Sequence, residues 1–290
     1  MKIGFFGLNQ GPFCAPENMV KLLELLEGSG FESVWTGEHV ILADPHEPPS
    51  PVAPETPFLD TVAALAFAAG RTERLLLGSG IILLPQRNPV VLAKELSGID
   101  VLSKGRLLFG LGVGYVPREF ETLGIPYEER GARTTEHIEV IRTLWTEDRP
   151  KFEGRFTSFS GIQSHPRPTQ QPHPPIIVGG QSPPAYRRSV AQGNGWYGFF
   201  QDVDATAAAC KALRETAERV ERPAALGKLE ITITPPGPVD ADTARRYEDL
   251  GVDRLVLIRS FEDMSPRQDD EARDRVLGFL EDTARELKLG

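Results

Sequence analysis

The sequence has little cysteine and no long apolar run. Only Cys14 and Cys210 occur among 290 residues, far apart and outside any CxxC or Cys/His cluster. The sequence therefore indicates neither a disulfide framework nor a zinc site, and no metal is expected. No segment approaches the length of about 18 apolar residues that crosses a bilayer, and the apolar run at 3–8 is too short for a secretory signal. These absences predict a cytoplasmic protein.

Positive charge is also sparse. The formal net charge is −9 and no segment is dense in lysine or arginine, which argues against nucleic acid or an anionic membrane as a partner. Hydrophobic residues make up 40% of the chain, enough for a large core. The expected partner is a small-molecule substrate.

Apolar runs of strand length alternate with helix-like patterns along the whole chain. Eight runs are predicted as strands, at 3–8, 33–36, 75–84, 107–111, 176–178, 196–200, 229–234 and 254–258. Parallel strands need crossover connections, and continuous apolar strands are typical of sheets covered on both faces. Eight units in this length predict an α/β fold, with residues 1–290 forming a single (β/α)₈ TIM barrel domain. The irregular segments 41–57 and 146–174 are predicted as insertions on the C-terminal loop face that wall the substrate.

Two predicted strands run directly into glycines, in LLFGLGVGY at 107–115 and IIVGGQS at 176–182. Backbone without side chains admits a flat or anionic ligand, and a helix amino terminus after the second turn would bind an anion. The same glycines are compatible with close packing at a crowded barrel end. Their spacing fits neither dinucleotide-binding nor P-loop motifs. We predict that the two turns form one cofactor pocket.

Polar side chains follow other strands at the predicted active-site face. Asn9 follows the first strand and His39 the second. A histidine there is suited to proton transfer near neutral pH, although a lone histidine is also often a structural core residue. Glu38 would orient His39 or tune its pKa, or else face water. His39 and Glu38 are the catalytic candidates.

Four blocks of sequence, in their order along the chain, resemble the bacterial luciferase-like superfamily, and within it the F420-dependent oxidoreductases. The blocks are WTGEH, LLLGSGIILLPQRNPVVLAKELSGIDVLSKGRLLFGLGVGY, YEERGARTTEHIEVIRTLW and PPIIVGGQSPPAYRRSVAQGNGWYG. The resemblance implies a (β/α)₈ barrel with a flavin or deazaflavin at its carboxyl-terminal end.

The resemblance also implies cofactor-binding roles for particular residues. His39 matches a histidine near the reactive part of the ring, and Gly80-Ile81 matches a non-proline cis peptide bond that supports the ring from behind. The other matches are the strand-four segment Gly112, Val113, Gly114 and Tyr115 and the phosphate-binding turn Gly179, Gly180, Gln181 and Ser182. Several F420-dependent relatives carry an acidic residue where Tyr115 stands, so acid catalysis at this position does not carry over.

Three functions follow from the resemblance. The first is hydride transfer between coenzyme F420 and a small organic substrate, and the second is an FMN-dependent monooxygenase reaction. The third is non-catalytic binding of a flavin or deazaflavin. Because family members are often dimers, a homodimer is also expected; the apolar helices at 59–69 and 92–101 are either its candidate face or helices that pack against the barrel.

Overall fold

The computed structural model describes residues 1–260 and 270–289, in which parallel strands alternate with helices. The strands are β1 (Lys2–Phe6), β2 (Ser33–Thr36), β3 (Leu76–Ser79), β4 (Ile82–Leu83), β5 (Leu107–Gly112), β6 (Phe152–Glu153), β7 (Ser158–Phe159), β8 (Ile176–Gly179), β9 (Gly195–Phe199), β10 (Glu230–Thr234) and β11 (Arg254–Leu257). The helices are α1 (Pro16–Gly28), α2 (Thr61–Ala69), α3 (Pro89–Leu102), α4 (Pro117–Thr122), α5 (Arg130–Thr146), α6 (Pro183–Gln192), α7 (Val203–Ala217), α8 (Ala241–Asp249) and α9 (Asp270–Leu287). None of these helices combines the length and the apolar character needed to span a membrane.

Eight of the strands close into a parallel barrel. Neighbours follow the order β3-β2-β1-β11-β10-β9-β8-β5, and β3 pairs with β5 to complete the ring. The chain's first and last barrel strands meet in register, with Lys2 beside Arg254. The predicted α/β fold and TIM barrel are confirmed. The assignment of residues 1–290 to a single domain stays a prediction.

Large side chains fill the inside of the barrel. A buried cluster takes residues from six strands and from the residue that follows β11: Phe6, Trp35, Leu108, Ile177, Tyr197, Val256 and Ile258. The Trp35 and Tyr197 rings lie 5.3 Å apart, and a side chain at Gly78 would overlap the Trp35 indole. These side chains fill the interior of the barrel, so the space for a ligand lies at its carboxyl-terminal end.

A buried arginine holds the opposite, amino-terminal end. The Arg254 side chain is 1% exposed and donates two hydrogen bonds to Glu32, at 2.8 and 2.7 Å. It also pairs with Glu230 and donates to Thr232. Hydrogen bonds to two carboxylates replace the hydration that the buried guanidinium loses, and they link β10, β11 and the start of β2.

The third predicted strand is broken in the structure. Residues 75–84 form β3 and β4, separated by the cis peptide bond Gly80–Ile81. The Gly80 N–H still bonds to the Thr36 carbonyl at 2.9 Å, but β4 then pairs with β5. The chain therefore bulges at Ile81, and the prediction of one continuous strand is wrong while the predicted cis bond is confirmed.

The two predicted insertions have different outcomes. The segment 41–57 follows β2 and supplies Pro51 and Val52 to the cleft described below, as expected. The segment 146–174 connects α5 to β8, so it leads to the amino-terminal end of the barrel, where Gln170 bonds to Asp100 and to the Leu107 carbonyl. Its prediction as a substrate wall is wrong. The insertion between β5 and α5, which contains α4, lies on the carboxyl-terminal face in its place.

Candidate active site

A cleft opens at the carboxyl-terminal end of the barrel, with a volume of about 500 Å³. This size lies within the usual range for cofactor and substrate sites. Nine of the predicted site residues line it: Glu38, His39, Gly80, Ile81, Gly114, Tyr115, Gly179, Gly180 and Gln181. The remaining lining residues are mostly apolar or aromatic: Phe6, Gln10, Gly37, Pro51, Val52, Phe58, Leu83, Tyr197, Phe199 and Phe200.

His39 reaches the cleft as half of a histidine–carboxylate pair. Its Nδ1 lies 2.7 Å from Oε1 of Glu119, whose side chain is 1% exposed. The second oxygen of Glu119 accepts a hydrogen bond of 2.9 Å from Gln86. Ring edges of Phe58 and Tyr115 enclose the imidazole, with centroids 5.4 and 6.3 Å away. The histidine is therefore fixed in position and oriented.

Sequence reasoning missed Glu119, which lies on α4. The usable signal was its place between a barrel strand and the next helix, because such connections lie at the active-site face. Gln86 and the aromatic residues Phe6, Phe58, Phe199 and Phe200 were missed as well. They occur in segments with no polar motif.

Glu38 does not bond to His39. Its carboxylate accepts the Leu83 N–H at 2.5 Å and forms an ion pair with Arg87, which also binds Asp60. Burial raises the pKa of Glu38, and the Arg87 charge opposes that change. The expectation that Glu38 orients His39 or faces water is thus corrected: Glu38 is buried and anchors the end of β4 and the Arg87 side chain.

The glycines of β5 and β8 make room for protein as well as for a ligand. A Cβ atom at Gly110 would overlap the Ser79 carbonyl oxygen, and one at Gly112 would overlap Cδ1 of Ile81. At Gly179 it would come within 3.0 Å of the same Ile81 methyl. The packing interpretation therefore accounts for Gly110 and Gly112, which accommodate the Ile81 bulge. Gly179 serves both purposes, because it also lines the cleft.

The predicted phosphate turn has fewer donors than a typical helix amino terminus. Helix α6 begins with Pro183 and Pro184, neither of which has a backbone N–H. The Gln181 amide is already committed to the Phe199 carbonyl at 2.8 Å. Ser182 is exposed and makes no capping hydrogen bond with its side chain. An anion here would rely on the Ser182 hydroxyl and the N–H groups of Gln181 and Ser182.

Four predicted cofactor-binding residues lie outside the cleft lining: Asn9, Gly112, Val113 and Ser182. Asn9 is fully buried. Its amide donates to the Gly37 and Leu59 carbonyls at 2.9 and 2.7 Å and accepts the Gly37 N–H at 2.9 Å. Both donors are used, so Asn9 supports the chain leading to His39 and does not reach a ligand itself.

The cleft fits a flat heterocycle on three observations. Its floor is the Gly80–Ile81 bulge, and its walls are aromatic. The side-chain amide oxygen of Gln10, Oε1, is buried and has no hydrogen-bond partner among the described residues, and Gln10 lines the cleft. Buried acceptors are rarely left unpaired, so a ligand N–H or hydroxyl near this amide would complete the site.

The barrel, the glycine turns and the bulge agree with a sequence comparison. The model of the luciferase-like monooxygenase family matches residues 1–287. The chain belongs to that family. This luciferase-like protein is 28% identical to an uncharacterized protein of Mycobacterium tuberculosis, over 82% of this chain and 83% of the relative. It is 33% identical to the oxygenase component of a flavin-dependent trigonelline monooxygenase of Acinetobacter baylyi, over 61% of this chain and 46% of that protein.

Solved structures share the fold. An F420-dependent secondary alcohol dehydrogenase superposes with a TM-score of 0.75 at 16% identity, covering 97% of this chain and 98% of its own. The monooxygenase RslO1 of Streptomyces bottropensis superposes with a TM-score of 0.69 at 24% identity, covering 100% and 97%. The family is described as one of luciferase-like monooxygenases, and the solved structures that share its fold include both an F420-dependent dehydrogenase and a monooxygenase.

Proposed function

We propose that the protein transfers a hydride between coenzyme F420 and a small, uncharged organic substrate, with His39 as the general acid–base. The observation that carries the proposal is the His39–Glu119 pair at 2.7 Å in the wall of an apolar cleft. Hydride transfer to a carbonyl carbon must be matched by a proton at oxygen, and a fixed histidine can supply it. The resemblance to the F420-dependent branch and the alcohol dehydrogenase among the structural neighbours support this choice.

The bound deazaflavin would supply the redox carbon, and the protein would supply position, dryness and the proton. The Gly80–Ile81 floor and the Gly179–Gly180 turn would hold the ring and its phosphorylated tail. In the oxidation of an alcohol, the His39 imidazole would accept the hydroxyl proton, and the bound deazaflavin would supply the acceptor for the hydride of the adjacent carbon. The bond between the substrate's carbon and oxygen then becomes a carbonyl double bond, and the same steps in reverse give reduction of the carbonyl.

The lining of the cleft favours an uncharged substrate. Its ionisable side chains are Glu38, His39, Tyr115 and Tyr197, and no lysine or arginine of the described ranges joins them. Glu38 is neutralised by Arg87. Burial and the Glu119 charge raise the pKa of Tyr115, so its hydroxyl stays protonated at neutral pH. An ionic substrate would lose hydration here without gaining a partner.

A second candidate is an FMN-dependent monooxygenase. Its support is sequence identity: 33% to the flavin-dependent trigonelline monooxygenase component, and 34% over 113 residues to an FMNH2-dependent dimethylsulfone monooxygenase of Pseudomonas putida. Tyr115 in place of an acid also departs from several F420-dependent relatives. The cytoplasmic location and the homodimer remain predictions.

Equilibrium titration of the purified protein with F420, FMN and riboflavin, followed by single-turnover assays, tests the proposal. We expect F420 to bind at least tenfold more tightly than FMN and to be reduced by a secondary alcohol. Tighter FMN binding with oxygen uptake coupled to product would support the monooxygenase. Tight binding without turnover by any donor would support the non-catalytic carrier.

A histidine variant tests the assigned role. His39→Ala should lower kcat by about 10²-fold or more, the usual contribution of general acid–base catalysis, and leave the cofactor Kd nearly unchanged. His165→Ala is the matched control, because His165 is exposed and lies in the segment remote from the cleft. Unchanged turnover in His39→Ala would remove His39 from the mechanism.

A further inference from the structure

The carboxylate of Glu119 is buried beside His39 without a permanently charged partner, which packing of the fold alone does not explain. Its side chain is 1% exposed, and its partners in the described chain are His39 and Gln86, neither of which carries a permanent positive charge. Burying a carboxylate is costly unless it is hydrogen-bonded and paired. If the Glu119 carboxylate had only a structural role, a neighbouring arginine or lysine would be a better partner for it than a histidine and an amide.

We infer that Glu119 is a positioning residue that fixes the tautomer of His39. An ionised carboxylate only accepts hydrogen bonds, so the 2.7 Å contact places the imidazole proton on Nδ1. A neutral imidazole has one N–H, which leaves the lone pair on Nε2. Nε2 is then the atom that exchanges a proton with the substrate oxygen. This inference rests on the proposed function.

The short helix α4 sets the geometry of the pair. Glu119 lies in its first turn, two residues after Pro117, and the Gln86 amide donates a hydrogen bond of 2.9 Å to the second carboxylate oxygen. Phe58 and Tyr115 hold the two sides of the imidazole. With the carboxylate and the ring both constrained, Glu119 would also stabilise the imidazolium that forms when Nε2 takes up the proton.

Proton balance follows directly. When an alcohol is oxidised, its O–H bond breaks and the proton binds Nε2; a bound oxidised deazaflavin would be the hydride acceptor. The imidazolium then releases the proton to solvent and returns to the Nδ1–H tautomer. Glu119 keeps its charge throughout and transfers no proton.

Nitrogen NMR of histidine-labelled protein tests the tautomer without any cofactor. The chain contains 5 histidines, and the His39 signals are assigned by their loss in His39→Gln. We expect the neutral His39 ring to carry its proton on Nδ1 in the wild type. In Glu119→Gln, whose amide can also donate, the Nε2–H form should become populated. A wild-type ring protonated on Nε2, or unchanged His39 signals in the variant, would overturn the inference.

Kinetics separates this inference from the proposed function. Glu119→Gln should lower kcat by roughly 10- to 100-fold, by analogy with the loss of a carboxylate that orients a metal-bound histidine, without changing the cofactor Kd. The double variant His39→Ala with Glu119→Gln should be no slower than His39→Ala alone, because Glu119 acts through His39.

Glu136→Gln is the matched control. Glu136 accepts the backbone N–H groups of 155–157, and neither it nor these partners line the cleft, so Glu136→Gln should retain wild-type kcat. If His39→Ala slows turnover and Glu119→Gln does not, the positioning role fails while the proposed function stands. If neither variant slows turnover, the proposed function itself fails.

Discussion

Ile81 fills space that three glycines leave open, and this arrangement predicts a compensating pair of substitutions. In Gly112→Ala, the new methyl group would overlap Cδ1 of Ile81 and lie 3.2 Å from its Cγ1. The overlapping atom is the end of a side chain, so Ile81 can rotate toward the cleft. Overpacking of this kind costs about 1–3 kcal/mol.

The compensating change is Ile81→Val, which deletes the methyl group that the alanine would displace. Alone it should cost about 0.5–1.5 kcal/mol, the usual penalty for that deletion. In the double variant most of the Gly112→Ala penalty should disappear, giving a favourable coupling energy of roughly 1 kcal/mol. Gly110→Ala is not rescued in this way, because its methyl group would overlap the Ser79 backbone oxygen.

Thermal unfolding and urea titration of the four proteins measure the coupling. Each kcal/mol corresponds to about 2–4 °C in Tm for a chain of this order of size, so Gly112→Ala should melt roughly 2–12 °C lower. Gly98→Ala is the control: Gly98 lies in α3 with open space around it, and alanine there should stabilise by about 0.5–1 kcal/mol. Strictly additive losses in the double variant would refute the reasoning.

Three further outcomes follow from the structure. Arg87→Met leaves the Glu38 carboxylate buried without its cation, which should lower the free energy of unfolding by about 3–5 kcal/mol at pH 8. Because burial raises the pKa of Glu38, protonation of the carboxylate relieves that cost as the pH falls. Urea unfolding should therefore show a smaller loss of stability at pH 5 than at pH 8. Burial raises the pKa of Cys14 to about 11, so iodoacetamide should label it at pH 8 much more slowly in the folded than in the unfolded protein, and equal rates would contradict the structure. Tyr197→Phe removes the 2.7 Å hydrogen bond to Thr234 and should lower the free energy of unfolding by about 1–3 kcal/mol; no measurable loss would mean that the bond is absent.

The barrel could be predicted from sequence because strand-like and helix-like patterns alternate along the whole chain, and the repetition makes the pattern redundant. Most strand runs are apolar on both faces and helical patterns separate them, so an error at one boundary does not change the topology. The break at Gly80–Ile81 is not visible in the sequence, because leucines precede it and isoleucines and leucines follow it, so both flanking runs are apolar. Only the resemblance to a family predicted the cis bond there.

The hydrogen-bond partner of His39 could not be predicted from its neighbours in the sequence. Glu38 is next to His39 in sequence, but consecutive side chains in extended chain project to opposite sides, and Glu38 turns to Arg87. Glu119 is 80 positions away, in a segment without periodicity. Its place is set by the close packing of Gly114, whose φ is +76°, against Phe120, a detail that no local pattern encodes.

The pairing of β1 with β11 has a consequence for biosynthesis. Lys2 and Arg254 stand side by side, so one edge of the first strand has no neighbour until the last strand emerges from the ribosome. Unpaired edges invite association with other chains. Late closure of this kind predicts that nascent chains stalled before β11 depend on chaperones, whereas chains released after it close their own sheet.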